Sequence, residues 1–186
     1  MIQHLDAKRL NVQAMAEAGQ TLSGSTLLQN MERLAPESNA LDAETSVNWE
    51  LAAQLRPGAD GQPDVWLHIS ADVNLALTCQ RCMAPVQTPI AVDQWYRFVA
   101  SEEVAMAEDD ASDEDLLVMT PQFDAFEVLE DELLMALPLV PMHGACPSMP
   151  AFSAGEAELV ALAPEKPNPF AALEQLKKPK LDGTTV

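Results

Sequence analysis

From Val65 to Cys79 every second residue is apolar: Val65, Leu67, Ile69, Ala71, Val73, Leu75, Leu77 and Cys79. His68, Ser70, Asp72, Asn74 and Thr78 fill most of the places between. A period of two fits one long strand with one buried face, because successive side chains of a strand point to opposite sides. A slip of one residue would turn the whole row to solvent, so the register is strongly specified. After a turn around Pro85 the pattern resumes with Val86, Ile90, Val92, Tyr96 and Phe98. Strands joined by so short a connection pair antiparallel. Pro89 lacks an N–H, which puts its part of the second strand at an edge or a bulge.

Weaker signals complete the outline. Thr45, Val47, Trp49 and Leu51 alternate as a further strand, Arg56 to Pro63 reads as a turn, and Leu116 to Met119 as a short strand. Asp6 to Ala18 reads as a helix closed by Gly19. Ser25 is expected to cap a second helix carrying Leu27, Leu28, Met31 and Leu34, ending before Pro36. Asp124 caps a third, with Phe126, Leu129, Leu133 and Leu137 as its apolar stripe, stopped by Pro138. Its acids Glu127, Glu130, Asp131 and Glu132 are expected on the solvated side. A Pro-rich loop follows. Asn168 and Pro169 then open a short helix with Phe170, Leu173 and Leu176 on one side.

These elements predict the α+β class: an antiparallel sheet with packed helices, an acidic loop and a C-terminal helical tail. One domain is expected over 1–150, a linker over 151–166, and a helix and tail over 167–186. A chain of 186 residues can bury ~70% of its unfolded surface, so its core needs no disulfides.

Charge narrows the function. The chain holds 10 Lys and Arg against 29 Asp and Glu, a formal charge of −19. Gripping phosphate backbones over a broad face needs clustered cations, as does docking on anionic lipid. No apolar run approaches the ~20 residues of a membrane span, and the N-terminus lacks the layout of a signal peptide. Residues 98–165 carry 16 acids and no Lys or Arg. Eight of those acids, Glu102, Glu103, Glu108, Asp109, Asp110, Asp113, Glu114 and Asp115, fall within 101–115, expected to be a flexible acidic loop that attracts a basic partner.

Three cysteines in a chain without export signals point to a reducing cytoplasm and to free thiols or metal ligands. Cys79 and Cys82 form a C-x-x-C where the long strand ends, and His143 and Cys146 form an H-x-x-C in a later loop. Three thiolates and one imidazole suit tetrahedral zinc, if the fold brings the pairs together. The competing reading makes Cys79 a small core hydrophobe. A thiol-redox role fits poorly, because such a cysteine is activated at a helix N-terminus and here a strand precedes it. Neither a Gly-rich phosphate loop nor a Ser or Cys nucleophile motif is present, so nothing argues for an enzyme.

Four segments are similar to a known family. TCQRCMAPV (78–86), EVLEDELLMALPLVPMH (127–143), the H-x-x-C and KPNPFAALEQLK (166–177) resemble, in order and spacing, the YceD or large ribosomal RNA subunit accumulation family. The resemblance runs from about residue 20 to 178. It implies a cytoplasmic bacterial protein without known catalytic activity, linked to accumulation of 23S ribosomal RNA and so to ribosome biogenesis.

Three mechanisms are then open. In the first, the acidic 102–115 loop and the helix 124–137 engage a basic ribosomal protein or an rRNA-processing factor, with Phe170, Leu173 and Leu176 of the tail helix as a docking element. In the second, Arg81, Arg97, Trp66 and Trp95 form a local patch that binds pre-rRNA directly by stacking. In the third, Cys79, Cys82, His143 and Cys146 hold a metal, either as a metal-dependent enzyme or as a small zinc-binding structural or interaction module. A closed Cys3His set suits a structural metal better than a catalytic one.

Overall fold

The structure is a computed structural model that describes residues 6–39, 44–58 and 61–148. The linker and tail expected over 151–186, with Phe170, Leu173 and Leu176, lie outside the described residues.

The alternating run becomes β3, Pro63–Thr78, at the centre of a five-stranded sheet ordered β1-β2-β3-β4-β5. Its neighbours are β2, Ser46–Pro57, and β4, Pro85–Val99. The flanks are β1, Thr21–Leu27, and β5, Asp115–Val118. Every odd residue of the row from Val65 to Cys79 is buried, with Leu67, Ile69, Leu75 and Cys79 wholly inaccessible. Burying such side chains contributes ~1.5–3 kcal/mol each, which locks the register Val65↔Phe98 through Thr78↔Pro85.

On the buried face lie α1, Val12–Glu17, and α3, Ala125–Met135. The Asp124 carboxylate caps α3 by accepting from the Phe126 and Glu127 N–H groups at 2.9 and 3.2 Å. Leu129 and Leu133 bury completely against the sheet. Trp49 of β2 meets Phe126 edge to face at 5.2 Å. A Cβ added at Gly24 of β1 would lie 2.6 Å from that indole, so glycine is what lets the two strands close around it.

Five expectations change. The sheet is mixed: β5 runs parallel to β4, Tyr96↔Asp115 through Val99↔Val118, because the chain crosses over between them. That crossover is the acidic segment, and it is not a bare loop. Ser101 caps α2, Glu102–Glu108, whose first-turn carboxylates Glu102 and Glu103 suit the positive end of a helix, and a 3-10 turn follows at Asp109–Ala111. Ser25 lies in β1 rather than capping a helix; Leu28, Met31 and Leu34 are nonetheless buried, on 3-10 turns and bends. The first helix is shorter than expected, capped by Asn11 through its bond to the Ala14 N–H at 2.9 Å.

The fifth change concerns the acids of α3. Glu130 accepts from the backbone N–H groups of Arg33 and Leu34 at 2.8 and 2.9 Å, and its carboxylate and that of Asp131 pair with the Arg33 guanidinium. Glu132 is buried. Burial, with the Glu132, Asp115 and Asp131 carboxylates nearby, holds the Tyr96 hydroxyl proton on. Helical spacing alone made Glu130 and Asp131 look solvated; the segment around Arg33 supplies their partners, while Glu127 is exposed as expected.

Candidate metal centre

Beyond Asp72, β3 loses its β2 neighbour and pairs with β4 alone. Val73–Thr78 and the opposing residues Pro85–Ile90 thus form a two-stranded arm, and Pro89 sits on its β4 side where no β5 partner is needed. Cys79 to Ala84 is the turn at its tip. Cys79 N–H donates to the Ala84 carbonyl at 3.0 Å and Met83 N–H to the Cys79 carbonyl at 2.9 Å. Met83 adopts φ 62°, a left-handed conformation uncommon for a residue with a side chain. The turn is therefore wrapped tightly around the Cys79 sulfur.

A second segment closes on it. Pro138 ends the helical stretch, and the chain runs back so that Gln80 N–H donates to the Pro141 carbonyl at 2.9 Å. This sets His143 and Cys146 against the turn. The Cys79 and Cys146 Sγ atoms are 3.9 Å apart, and Cys82 Sγ lies 3.5 Å from His143 Nδ1. One ligand atom from each of the four residues lies within 4.8 Å of all the others. Zn–S bonds of ~2.3 Å and Zn–N bonds of ~2.0 Å in a tetrahedron require edges of ~3.8 Å between sulfurs and ~3.5 Å from sulfur to nitrogen. The Cys79–Cys146 and Cys82–His143 edges, 3.9 and 3.5 Å, are close to these lengths.

The surroundings favour ligation as well. His143 Nε2 lies 3.0 Å from the Pro85 carbonyl, an acceptor only, so Nε2 carries the proton and Nδ1 presents its lone pair to the cluster. His143 N–H points at Cys79 Sγ at 3.5 Å. Burial opposes charge on Cys79, yet backbone N–H groups of His143, Cys82 and Arg81 outweigh it and hold this thiol down to about 5. Burial, then the neighbouring Cys82 and Cys79 sulfurs, push the Cys146 thiol up. Three sulfurs crowded together repel as thiolates unless a cation sits between them, and a divalent ion would relieve that repulsion. Cys79 is buried in the core and also lies in the four-residue cluster that could hold a metal.

The other candidates fare differently. Glu102, Glu103, Asp109, Asp110, Asp113 and Asp115 are exposed. Glu108 and Glu114 are not free for a partner, since they bind the Arg97 guanidinium at 2.8 and 2.9 Å, with Ser112 as its third acceptor. Trp66, Trp95 and Arg97 do share the outer sheet face, through the pairings Trp66↔Arg97 and His68↔Trp95. Arg81, however, lies at the arm tip, at the opposite end of the hairpin. The Arg56 guanidinium lies 3.8 and 4.3 Å from the Trp95 and Trp66 ring centres, and His68 stacks on Trp95 at 4.5 Å. The rings that would stack on bases are already engaged. Sequence reasoning missed Pro85, Gln80 and Pro141, which act through backbone atoms and leave no side-chain signal.

The sequence pattern of the family described as "Large ribosomal RNA subunit accumulation protein YceD" matches residues 67–177, from the middle of β3 past both halves of the cluster. A protein of that name from Haemophilus influenzae is 32% identical over 145 residues, covering 73% of this chain and 80% of its own. No solved structure matches. Among the described residues no helix is long and apolar enough to cross a membrane.

Proposed function

This chain belongs to the family of large ribosomal RNA subunit accumulation proteins, YceD, and from that premise we propose that it is a non-catalytic cytoplasmic factor needed for 23S ribosomal RNA to accumulate. It acts through a basic protein partner, a ribosomal protein or a processing factor, and a zinc ion held by Cys79, Cys82, His143 and Cys146 ties its arm to the loop after α3. The observation that carries the role is the match over residues 67–177, which spans both cysteine pairs. The acidic balance supports a protein partner over bare RNA. The engagement of Arg97 by Glu108 and Glu114, and of the tryptophans by Arg56, weakens the direct pre-rRNA reading. The zinc reading rests on the tetrahedral spacing and on His143 Nδ1 facing the sulfurs.

The role is tested by the ratio of 23S to 16S ribosomal RNA in a deletion strain, with and without a plasmid copy of the gene. A fall restored by the plasmid is expected; an unchanged ratio would overturn the role. Metal analysis of protein purified under reducing conditions is expected to give one zinc per chain, lost in Cys82→Ser.

A further inference from the structure

The two edges of the sheet differ. β5 has four residues, begins at Asp115 and follows Asp113, so that edge is short and flanked by exposed acids. β1 closes the other edge with seven residues, TLSGSTL, and carries neither a charge nor a proline. Residues 18–31 contain no Asp, Glu, Lys or Arg, in a chain of formal charge −19. Among the described residues no strand pairs with the far side of β1. Thr21, Ser23, Gly24, Ser25 and Leu27 are exposed. An open strand edge is a template for pairing, and proteins that keep an edge unpaired shorten it, charge it or place proline in it. β5 has such protection and β1 has none.

The ladder fixes which backbone groups point outward. Ala53 N–H donates to the Gln20 carbonyl at 3.2 Å and Leu28 N–H to the Thr45 carbonyl at 2.9 Å, at the two ends of the β1–β2 register. Bonded and non-bonded pairs alternate along an antiparallel ladder. Leu22, Gly24 and Thr26 therefore bond β2, and Thr21, Ser23 and Ser25 turn their N–H and C=O groups away from it. We propose that this edge joins two copies of the chain. A two-fold axis through Ser23 sets Thr21 of one copy opposite Ser25 of the other, and in that pairing all the outward groups of the three residues exchange bonds. Serine and threonine hydroxyls then stand opposite one another, a favourable cross-strand arrangement. Charge selects the occupant. Two copies this acidic repel each other except where a contact lacks acids, and β1 with its flanks supplies that contact; complementarity would draw a basic partner elsewhere. One strand pair is a small contact, so the dimer forms in concentrated solution and parts on dilution. This goes beyond the proposed role and depends on neither the metal nor the basic partner.

The test uses the purified full chain under reducing conditions. Sedimentation velocity is expected to shift from one chain to two as concentration rises, and further with added salt, which screens the acids. Amide exchange followed by NMR locates the contact. The amides of Thr21, Ser23 and Ser25 should gain protection in concentrated solution, while those of Leu22, Gly24 and Thr26 exchange alike in dilute and concentrated solution. Ser23→Pro removes an outward N–H without touching the β2 ladder and should weaken self-association at least about tenfold. If circular dichroism shows that this variant does not fold, Ser23→Lys, which sets like charges opposite each other across the axis, is read in its place. A single chain at every concentration would overturn the proposal. So would edge amides protected equally at all concentrations, which would mean that the chain covers its own edge. Concentration-dependent protection confined to another element, association weakened by salt, or association unchanged in the folded variant would overturn it as well.

Discussion

From Val65 to Asp72, β3 has β2 on one side and β4 on the other; from Val73 to Thr78 it has β4 alone. The same apolar alternation runs through both stretches, and both bury it. Their support differs. The body is held by neighbouring strands and by α1 and α3 packed on the buried face of the sheet. The arm is a two-stranded ribbon, a structure marginal in water by itself. It is braced by Asn39 N–H bonding the Ala76 carbonyl and by the closure of Cys79, Cys82, His143 and Cys146 at its tip. Equal hydrophobic patterning therefore does not mean equal stability. Where strand pairing runs out, a side-chain cluster substitutes for the missing neighbours.

Removing the proposed zinc is expected to break the comparison most sharply. Structural zinc contributes on the order of 10 kcal/mol of apparent binding free energy in small finger peptides at neutral pH. Adding a chelator, or substituting Cys82→Ser, is expected to release the amides of Leu75 and Leu77 to hydrogen exchange while those of Leu67 and Ile69 stay protected. Equal loss of protection in both halves would show that the arm is no separate unit. Next in size is Ile69→Ala, which leaves a cavity in the body and should cost ~2–5 kcal/mol in urea unfolding. Its zinc content should remain at the wild-type value; loss of zinc in the folded variant would contradict the division between body and arm.

Smaller effects sharpen the picture of the body. Glu130→Ala strips the acceptor from the Arg33 and Leu34 N–H groups and is expected to destabilise by ~1–3 kcal/mol. Asp131→Ala, on a half-exposed side chain, should change stability by no more than about 0.5 kcal/mol. If the two variants prove equal, Glu130 is not the tie between α3 and the Leu28–Leu34 segment. Arg56→Ala, which removes a cation stacked on Trp95 and Trp66, should cost ~1 kcal/mol, between those two. Tryptophan emission should shift with it, and an unchanged spectrum would mean that the guanidinium does not rest on the rings in solution.

Much of this was legible before any coordinates, for reasons of period and local chemistry. The row from Val65 to Cys79 and its continuation from Val86 to Phe98 report a hairpin because side-chain direction in a strand repeats every two residues. Asp124 announces α3 because its carboxylate needs only the next few N–H groups. The C-x-x-C was visible for the same reason, both sulfurs lying within one turn. The acidic helix α2 was not, since high charge without aromatics reads as loop, and its order comes from Arg97 on β4 drawing in Glu108 and Glu114.

What the tertiary structure alone decided are the meetings of distant segments: β5 laid parallel to β4, Glu130 of α3 beneath Arg33, and His143 and Cys146 brought to Cys79 and Cys82. A sequence holds periodicity and capping as local patterns. It holds no comparable mark of contacts made by backbone carbonyls such as Pro85 and Pro141, or of which of many loops closes on a given turn. That choice belongs to the packed core, because only the buried row of β3 and the stripe of α3 together set where the chain emerges after Pro138.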